Sequence, residues 1–291
     1  MQPMTDHTAQ LTLVTGGTGK TGRRVAARLA ERGIPVRIGS RNAEPPFDWE
    51  DRATWDAALA GARAVYVAYV PDLAVPGADD VIRAFTDRAA AAGVQRLVLL
   101  SGRGEPEAEA CERIVLEAPG IDATVVRASW FLQNFSESFL QPSIVAGELA
   151  LPVPAHIREP FIDADDLADV AVAALTEDGH AGEIYEVTGP ASLTFAEAAA
   201  EIGAATGREV PYVELTLEQF TGALTAEGVP ADFIELLSYL FTEVLDGRNA
   251  ATADGVQRAL GRPPRDARAW ARAEAGAGAW GTVPHEVAAG A

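Results

Sequence analysis

The residues of this chain that could do chemistry begin with a run of glycines, Gly16, Gly17, Gly19 and Gly22, interleaved with Thr18, Lys20 and Thr21. Gly17, Gly19 and Gly22 satisfy G-x-G-x-x-G, and Gly16, Gly19 and Gly22 satisfy the variant G-x-x-G-x-x-G. Glycines at a strand-to-helix junction let the backbone approach a pyrophosphate, and the helix N-terminus adds unpaired N–H donors and a favourable dipole. The flanks supply that context. Leu11, Leu13 and Val14 read as a buried strand, and residues 23–32, with Val25, Ala26 and Leu29 at helical spacing, read as an amphipathic helix. Gly19-Lys20-Thr21 also ends like a nucleoside triphosphate P-loop, but the glycine that such a loop needs five residues earlier is Val14. The segment 16–22 is therefore expected to hold a dinucleotide.

Which dinucleotide follows from the next strand. An NAD-binding fold places an acid about 20 residues beyond the glycines, where it accepts bonds from the ribose 2′-OH. Here that place is Gly39-Ser40-Arg41, with no acid. A guanidinium can pair with a 2′-phosphate bidentately and a neighbouring hydroxyl can add a bond. The expected cofactor is NADP(H), with Arg41 as discriminator, Ser40 in support and Arg37 as a second candidate.

The elements that must position these residues alternate. After the first helix come a strand at 34–38, a strand at 64–69, a helix at 81–92, a strand at 96–100 ending at Ser101-Gly102, a helical stretch at 111–117 and a strand at 123–127. Strands alternating with helices of this length predict βαβ units and a parallel sheet. Near-continuous apolar strands fit a sheet covered on both faces. The expectation is an α/β fold, a doubly wound parallel Rossmann sheet over residues 1–129, with a late strand near 184–188 returning to it. Residues 130–160, richer in aromatics and prolines, and 190–280 form a smaller, mostly helical C-terminal substrate lobe. A helix is expected at 165–175, and Thr194 with Glu197 reads as a capping box. The Ala/Gly-rich end from Ala273, and the tail 281–291 above all, is expected to be loose.

Composition narrows the classes. With 42 acids against 23 bases the formal charge is −19, which argues against nucleic acid or an anionic membrane as partner. No apolar run approaches the roughly 20 residues of a spanning helix. The first ten residues lack the order of a secretory signal, so the cytoplasm is the expected compartment. Cys111 is the single cysteine, which excludes an intrachain disulfide and a cysteine-based metal site. Glu109 and Glu112 beside it should raise its pKa and leave it inert. Asp163, Asp165, Asp166 and Asp169 could suggest a metal, but helix capping and dipole compensation explain them more simply. His7, His156, His180 and His285 are scattered and suggest no triad. No metal is expected.

Taken together the motifs resemble the NmrA-like group of atypical short-chain dehydrogenases/reductases. The matching pieces are LVTGGTGKTG at 13–22, Arg41, Phe47-Asp48-Trp49, RLVLLSG at 96–102, TVVRASWFLQNF at 124–135, EPFIDADDLADVAVAAL at 159–175 and LGRPPR at 260–265. The resemblance implies that Asp48 and Trp49 lie by the adenine and that the strand ends at Ala68-Tyr69 and Ser101-Gly102 lie along the nicotinamide. It also implies that Asn134 faces the cofactor and substrate cleft. Group members reduce isoflavones, quinones, triphenylmethane dyes and alkaloid iminium ions; others are regulators that bind the dinucleotide without turning it over.

Short-chain dehydrogenases commonly relay a proton through Y-x-x-x-K. This chain has one lysine, Lys20, in the glycine loop, and the helix expected to carry the pair reads EPEAEACERIVLE at 105–117. Ordinary carbonyl reduction thus loses its usual acid. The expected function is an NADPH-dependent reductase delivering hydride to an iminium, quinone-like or conjugated small molecule, aromatic or polycyclic, where positioning does most of the work. A cofactor-sensing regulator that binds a protein partner, or a non-redox isomerase or cyclase, are the alternatives. Polar candidates for catalysis are Tyr69, Ser101 and Asn134, with Arg103 and Glu105 also in reach. Arg103, Trp130, Phe131, Asn134 and Phe135 are the candidate substrate-binding residues, the aromatics as pocket walls.

Overall fold

The computed structural model describes residues 11–281. In chain order these form β1 (Thr12–Thr15), α1 (Gly22–Glu31), β2 (Val36–Gly39), α2 (Trp55–Leu59), β3 (Ala64–Val67), α3 (Ala78–Ala91), β4 (Arg96–Gly102), α4 (Pro106–Leu116) and β5 (Asp122–Ala128). There follow α5 (Gln141–Ala146), β6 (Leu149–Leu151), β7 (Arg158–Glu159), α6 (Ala164–Thr176), β8 (Ile184–Val187), β9 (Leu193–Thr194), α7 (Phe195–Thr206), β10 (Tyr212–Glu214), α8 (Leu217–Ala226), α9 (Ala231–Tyr239), α10 (Gly255–Leu260) and α11 (Ala267–Gly276).

The described residues divide into two compact units: one is residues 11–129, 164–188 and 253–264, the other residues 130–163, 189–252 and 265–281. The first is a Rossmann-type α/β unit around a six-stranded sheet of order β2-β1-β3-β4-β5-β8. Every neighbouring pair is parallel. The strands are short and apolar because both faces are covered. Leu13, Val65, Val67, Leu97, Leu99 and Val125 join the core of α2, α3 and α4. The residues between them, Val14, Tyr66, Val98 and Val126, are equally buried on the opposite face. α6 packs against α1 and the sheet and is buried on nearly all sides, so Val170, Ala171, Val172 and Leu175 show no single apolar stripe. From β1 the chain goes to β2 on one side and β3 on the other, so the strand order reverses between β1 and β3. At such a reversal the crevice beyond the strand ends is where doubly wound sheets bind ligands.

Residues 253–264 belong to this first unit, a correction to the expected lobe of 190–280. α10 packs on β8 and α6, and Thr188 Oγ1 both accepts from Ala253 N at 3.0 Å and donates to its carbonyl at 3.2 Å. Such pairing between distant segments has no local periodicity to reveal it.

The second unit is not only helical. β6 and β10 pair in parallel, with Leu149 opposite Tyr212, and β7 and β9 pair antiparallel. Segments of two or three residues are too short for an alternation signal. The Thr194–Glu197 capping box is present at α7, and a second, Thr216 with Gln219, opens α8. The C-terminal end is firmer than its composition suggests. α11 runs through Gly276, and Trp280 is buried, stacking edge-on against Trp270 and donating from Nε1 to Phe135 O at 2.8 Å. One tryptophan outweighs a run of small residues, since a fully buried aromatic contributes about 1.5–3 kcal/mol. Residues 282–291, with His285, lie outside the described residues, as does His7.

Candidate functional site

The glycine loop is built as the motif demands. Gly16 takes φ +59° beyond the end of β1, and Gly19 N donates to Gly16 O at 2.8 Å, folding the loop on itself. A Cβ on Gly22 would collide with the Gly16 carbonyl oxygen and come within 2.7 Å of its carbon and 2.9 Å of Gly17 Cα. α1 can therefore begin this close to β1 only at glycine. Thr18 and Gly19 form the exposed crest, Gly17 and Thr21 are buried and Lys20 is half-buried. Thr21 makes no side-chain cap, and the first turn of α1 carries no acid. By contrast α3, α4, α6 and α7 each carry acids in the first turn. A bound pyrophosphate would supply there the negative charge that acids supply elsewhere. The cradle fits a dinucleotide.

The loop's neighbours are fixed by named bonds. Thr15 Oγ1 donates to Tyr66 O at 3.1 Å and accepts from Ala68 N at 2.9 Å, holding the end of β3 beside the glycines. Trp49 Nε1 donates to Ala68 O at 3.2 Å. Trp49 also meets Phe47, Tyr69 and Phe85 edge to face. This buried cluster sets the 47–49 segment against β3. Asp48 Oδ1 accepts from Glu50 N at 3.1 Å, turning the chain locally. Arg41 is exposed, with no hydrogen bond or ion pair to other described residues, and Ser40 is half-buried next to it. Arg37 is not available for a phosphate. Its guanidinium donates to Ala58 O and Ala60 O, each at 2.7 Å, closing the C-terminal end of α2.

At the ends of β3 and β4 the predicted polar residues separate. Tyr69 is half-buried, and burial, then Cys111 and Glu50, push its phenol above the ordinary value, so it stays protonated. Ser101 is buried and donates to Glu112 Oε1 at 2.6 Å. Arg103 pairs with Glu186 at 3.4 Å. Both belong to a network that sequence spacing did not suggest, because Glu112, Arg127 and Glu186 come from α4, β5 and β8. Ser101 and Arg103 are thereby engaged within the protein. Glu105, also buried, pairs with Asp72 from beyond the end of β3. Asp72 had no signal beyond standing five residues past the end of β3. Cys111 is buried, and its thiol is pushed up to about 12 by burial, then Asp79 and the expected Glu112.

The four aspartates meet arginines rather than one another. Asp165 pairs with Arg24 and Arg28, Asp169 with Arg28 and Arg262, Asp166 with Arg262, and Asp163 lies 3.9 Å from Arg265 and accepts from Gln133 at 2.7 Å. The charge on this face thus does more than compensate the helix dipole. His180 is buried against Tyr185, with Nδ1 and the phenol oxygen 2.8 Å apart.

In the second unit Phe135 is a core residue, packed against Phe161, Phe195 and Trp270, and is not a pocket wall. Trp130 is half-buried, its ring centre 5.0 Å from that of Phe241. Phe131, also half-buried, pairs with Ile162 through a parallel bridge. Asn134 is half-buried, and its carbonyl accepts from Ser138.

The profile of a family described as NAD(P)H-binding matches residues 16–178. The uncharacterized oxidoreductase YesF of Bacillus subtilis is 33% identical over 274 residues, covering 90% of this chain and 94% of that protein. The NAD(P)H azoreductase of Xenophilus azovorans is 33% identical over 285 residues, covering 91% and 98%. Among solved structures, triphenylmethane reductase of Citrobacter sp. complexed with NADP(H) superposes with a TM-score of 0.71 at 19% identity, over 91% of this chain and 99% of that one, a likeness of fold. The sheet, the glycine loop and these matches agree: the chain belongs to the NAD(P)H-binding family.

Proposed function

We propose that the protein is an NADPH-dependent reductase of an electrophilic, conjugated small molecule, aromatic or polycyclic. The observation that carries this reading is the glycine cradle at the strand reversal together with an exposed Arg41 just beyond β2 that pairs with no other described residue. When bound, the cofactor supplies a hydride. The chain's own residues do the rest. The 16–22 loop and the start of α1 hold the pyrophosphate, Arg41 and Ser40 take the 2′-phosphate, and Asp48 and Trp49 lie toward the adenine. Ala68 and Tyr69 flank the nicotinamide, with Tyr69 as a protonated hydrogen-bond donor. Trp130, Phe131 and Asn134 receive the substrate. The absence of any Tyr–Lys pair from a chain with one lysine favours acceptors that are already electron-poor. The names of the relatives point the same way, since azo and triphenylmethane dyes are both extended conjugated systems.

Deuterium transfer from nicotinamide-labelled NADPH to a panel of iminium ions, quinones and enones tests the reading. Label in a product is the expected result. No transfer to any acceptor, with NADPH binding confirmed in the same samples, would overturn it. The cofactor preference has its own test. Arg41→Ala should weaken NADPH binding by about 10- to 100-fold, the range of a lost charge-assisted pair, while changing NADH binding little. Equal losses for both cofactors in a titration calorimeter would remove the role given to Arg41.

A further inference from the structure

We propose that Glu105, beside Asp72, is the proton donor of the reduction, an inference that rests on the reductase reading above. Glu105 follows the end of β4 and Asp72 follows the end of β3, the two strand ends assigned to the nicotinamide half of the crevice. The Glu105 carboxyl lies directly over Gly102. A Cβ there would stand 2.5 Å from its Cδ and 2.6 Å from Oε2, so the missing side chain makes room for the acid. Glu105 occupies the N-cap position of α4 yet makes no cap hydrogen bond, and Glu107 and Glu109 already supply the helix's acidic first turn. Its carboxyl is thus held for something other than capping.

The surroundings favour the protonated form. Glu105 is 8% exposed, and the charged groups that face it are Asp72 from the β3–α3 connection and Glu107 and Glu112 from α4, all acids. Arg103, near in sequence, pairs with Glu186, and Arg127 pairs with Glu112. Burial first, then these carboxylates, push Glu105 up to about 8, and burial also raises Asp72. Neighbouring carboxyls that both resist ionisation favour one shared proton, and the larger rise puts it on Glu105.

The step balances simply. The Glu105 O–H bond breaks, and its proton goes to the acceptor oxygen or nitrogen that becomes basic as the conjugated partner atom takes the hydride. The electron pair of the reduction arrives with that hydride from the reduced nicotinamide. Glu105 is left as a carboxylate, and the half-exposed Asp72 returns a proton from water.

A cationic acceptor such as a triphenylmethane dye needs hydride alone, whereas a quinone needs hydride and a proton. In Glu105→Gln, the ratio of quinone turnover to dye-cation turnover should therefore fall about 100-fold, the usual scale of a lost general acid. A second readout uses the protein without cofactor. In carbon-13 spectra of glutamate-labelled protein, one carboxyl should titrate near pH 8, vanish in Glu105→Gln and move down in Asp72→Asn. The unloaded protein's stability should follow the same proton. The folded state keeps it where the unfolded chain, with its ordinary value of 4.5, has released it. Stability relative to Glu105→Gln should thus be greatest below that value and decline as pH rises toward 8. An unmoved quinone-to-dye ratio, or a Glu105 that titrates with ordinary carboxylates, would overturn the inference. A wild-type protein that reduces neither acceptor would overturn the reductase reading, and this inference with it.

Discussion

Gly22→Ala is expected to abolish measurable NADPH binding and to destabilise the first unit by about 3 kcal/mol, the upper part of the usual range for overpacking. The added methyl meets backbone on every side: the Gly16 carbonyl group and Gly17 Cα. No rotamer change relieves that clash. The glycine loop must open or α1 must move away from β1. Either shift displaces the N–H groups that face the pyrophosphate, and Val25, Ala26 and Leu29 lose their seat beneath the helix. Gly222→Ala is the control. Gly222 lies on the exposed side of α8, where an added Cβ meets nothing within 4 Å. Removing an interior helical glycine should stabilise by about 0.5–1 kcal/mol. Denaturant unfolding and an NADPH titration on the two variants decide the matter. Unimpaired binding by Gly22→Ala would mean that the loop is not the cofactor's seat.

Much of the fold was legible because its signals are local. The glycine spacing, the apolar run of β1 and the stripe of α1 all lie within about twenty residues, and Ile184–Val187 read as a strand for the same reason. Arg41 was legible by its distance from the glycines. Arg37 was not, because only the fold shows that α2 ends beneath β2 and takes its guanidinium. Phe135 shows the same limit. An aromatic in a Trp-Phe-x-x-x-Phe run reads equally as pocket wall or core, and only Phe161, Phe195 and Trp270 around it decide for core. The Asp72–Glu105 pair joins residues from two βα connections, and no sequence window holds both. A signal was nonetheless present. An acid immediately before Pro106 at a helix start is normally a cap, and an acid at that place that does not cap requires another partner. The parallel β6–β10 pair left no such trace, its strands being too short to alternate.

Arg127→Ala should cost about 3–5 kcal/mol, the scale of a buried ion pair broken from one side. Arg127 Nε donates to Glu112 Oε1 at 2.8 Å, a second nitrogen pairs with Oε2, and a third donates to Glu186 Oε1 at 2.9 Å. The bond to Glu112 is the leading cause that raises the guanidinium above its ordinary value. Glu112 is 2% exposed, so removing Arg127 strands a carboxylate that water cannot reach, with the Ser101 hydroxyl as its remaining named donor. An ordinary surface pair behaves otherwise. Arg32 and Glu177, with side chains 46% and 56% exposed, should lose no more than about 1 kcal/mol on Arg32→Ala. The double variant Arg127→Met with Glu112→Leu separates charge from packing. If the stranded charge is what destabilises, the double variant recovers most of the loss, because apolar replacements of similar volume are often neutral. If the double variant is no more stable than Arg127→Ala, the loss lies in packing or in the bond to Glu186. The outcome bears on function as well as stability. Ser101, Arg103 and Glu186 hang on the same network at the ends of β4 and β8, so a protein that loses Arg127 should also bind NADPH less tightly, whereas Arg32→Ala should not.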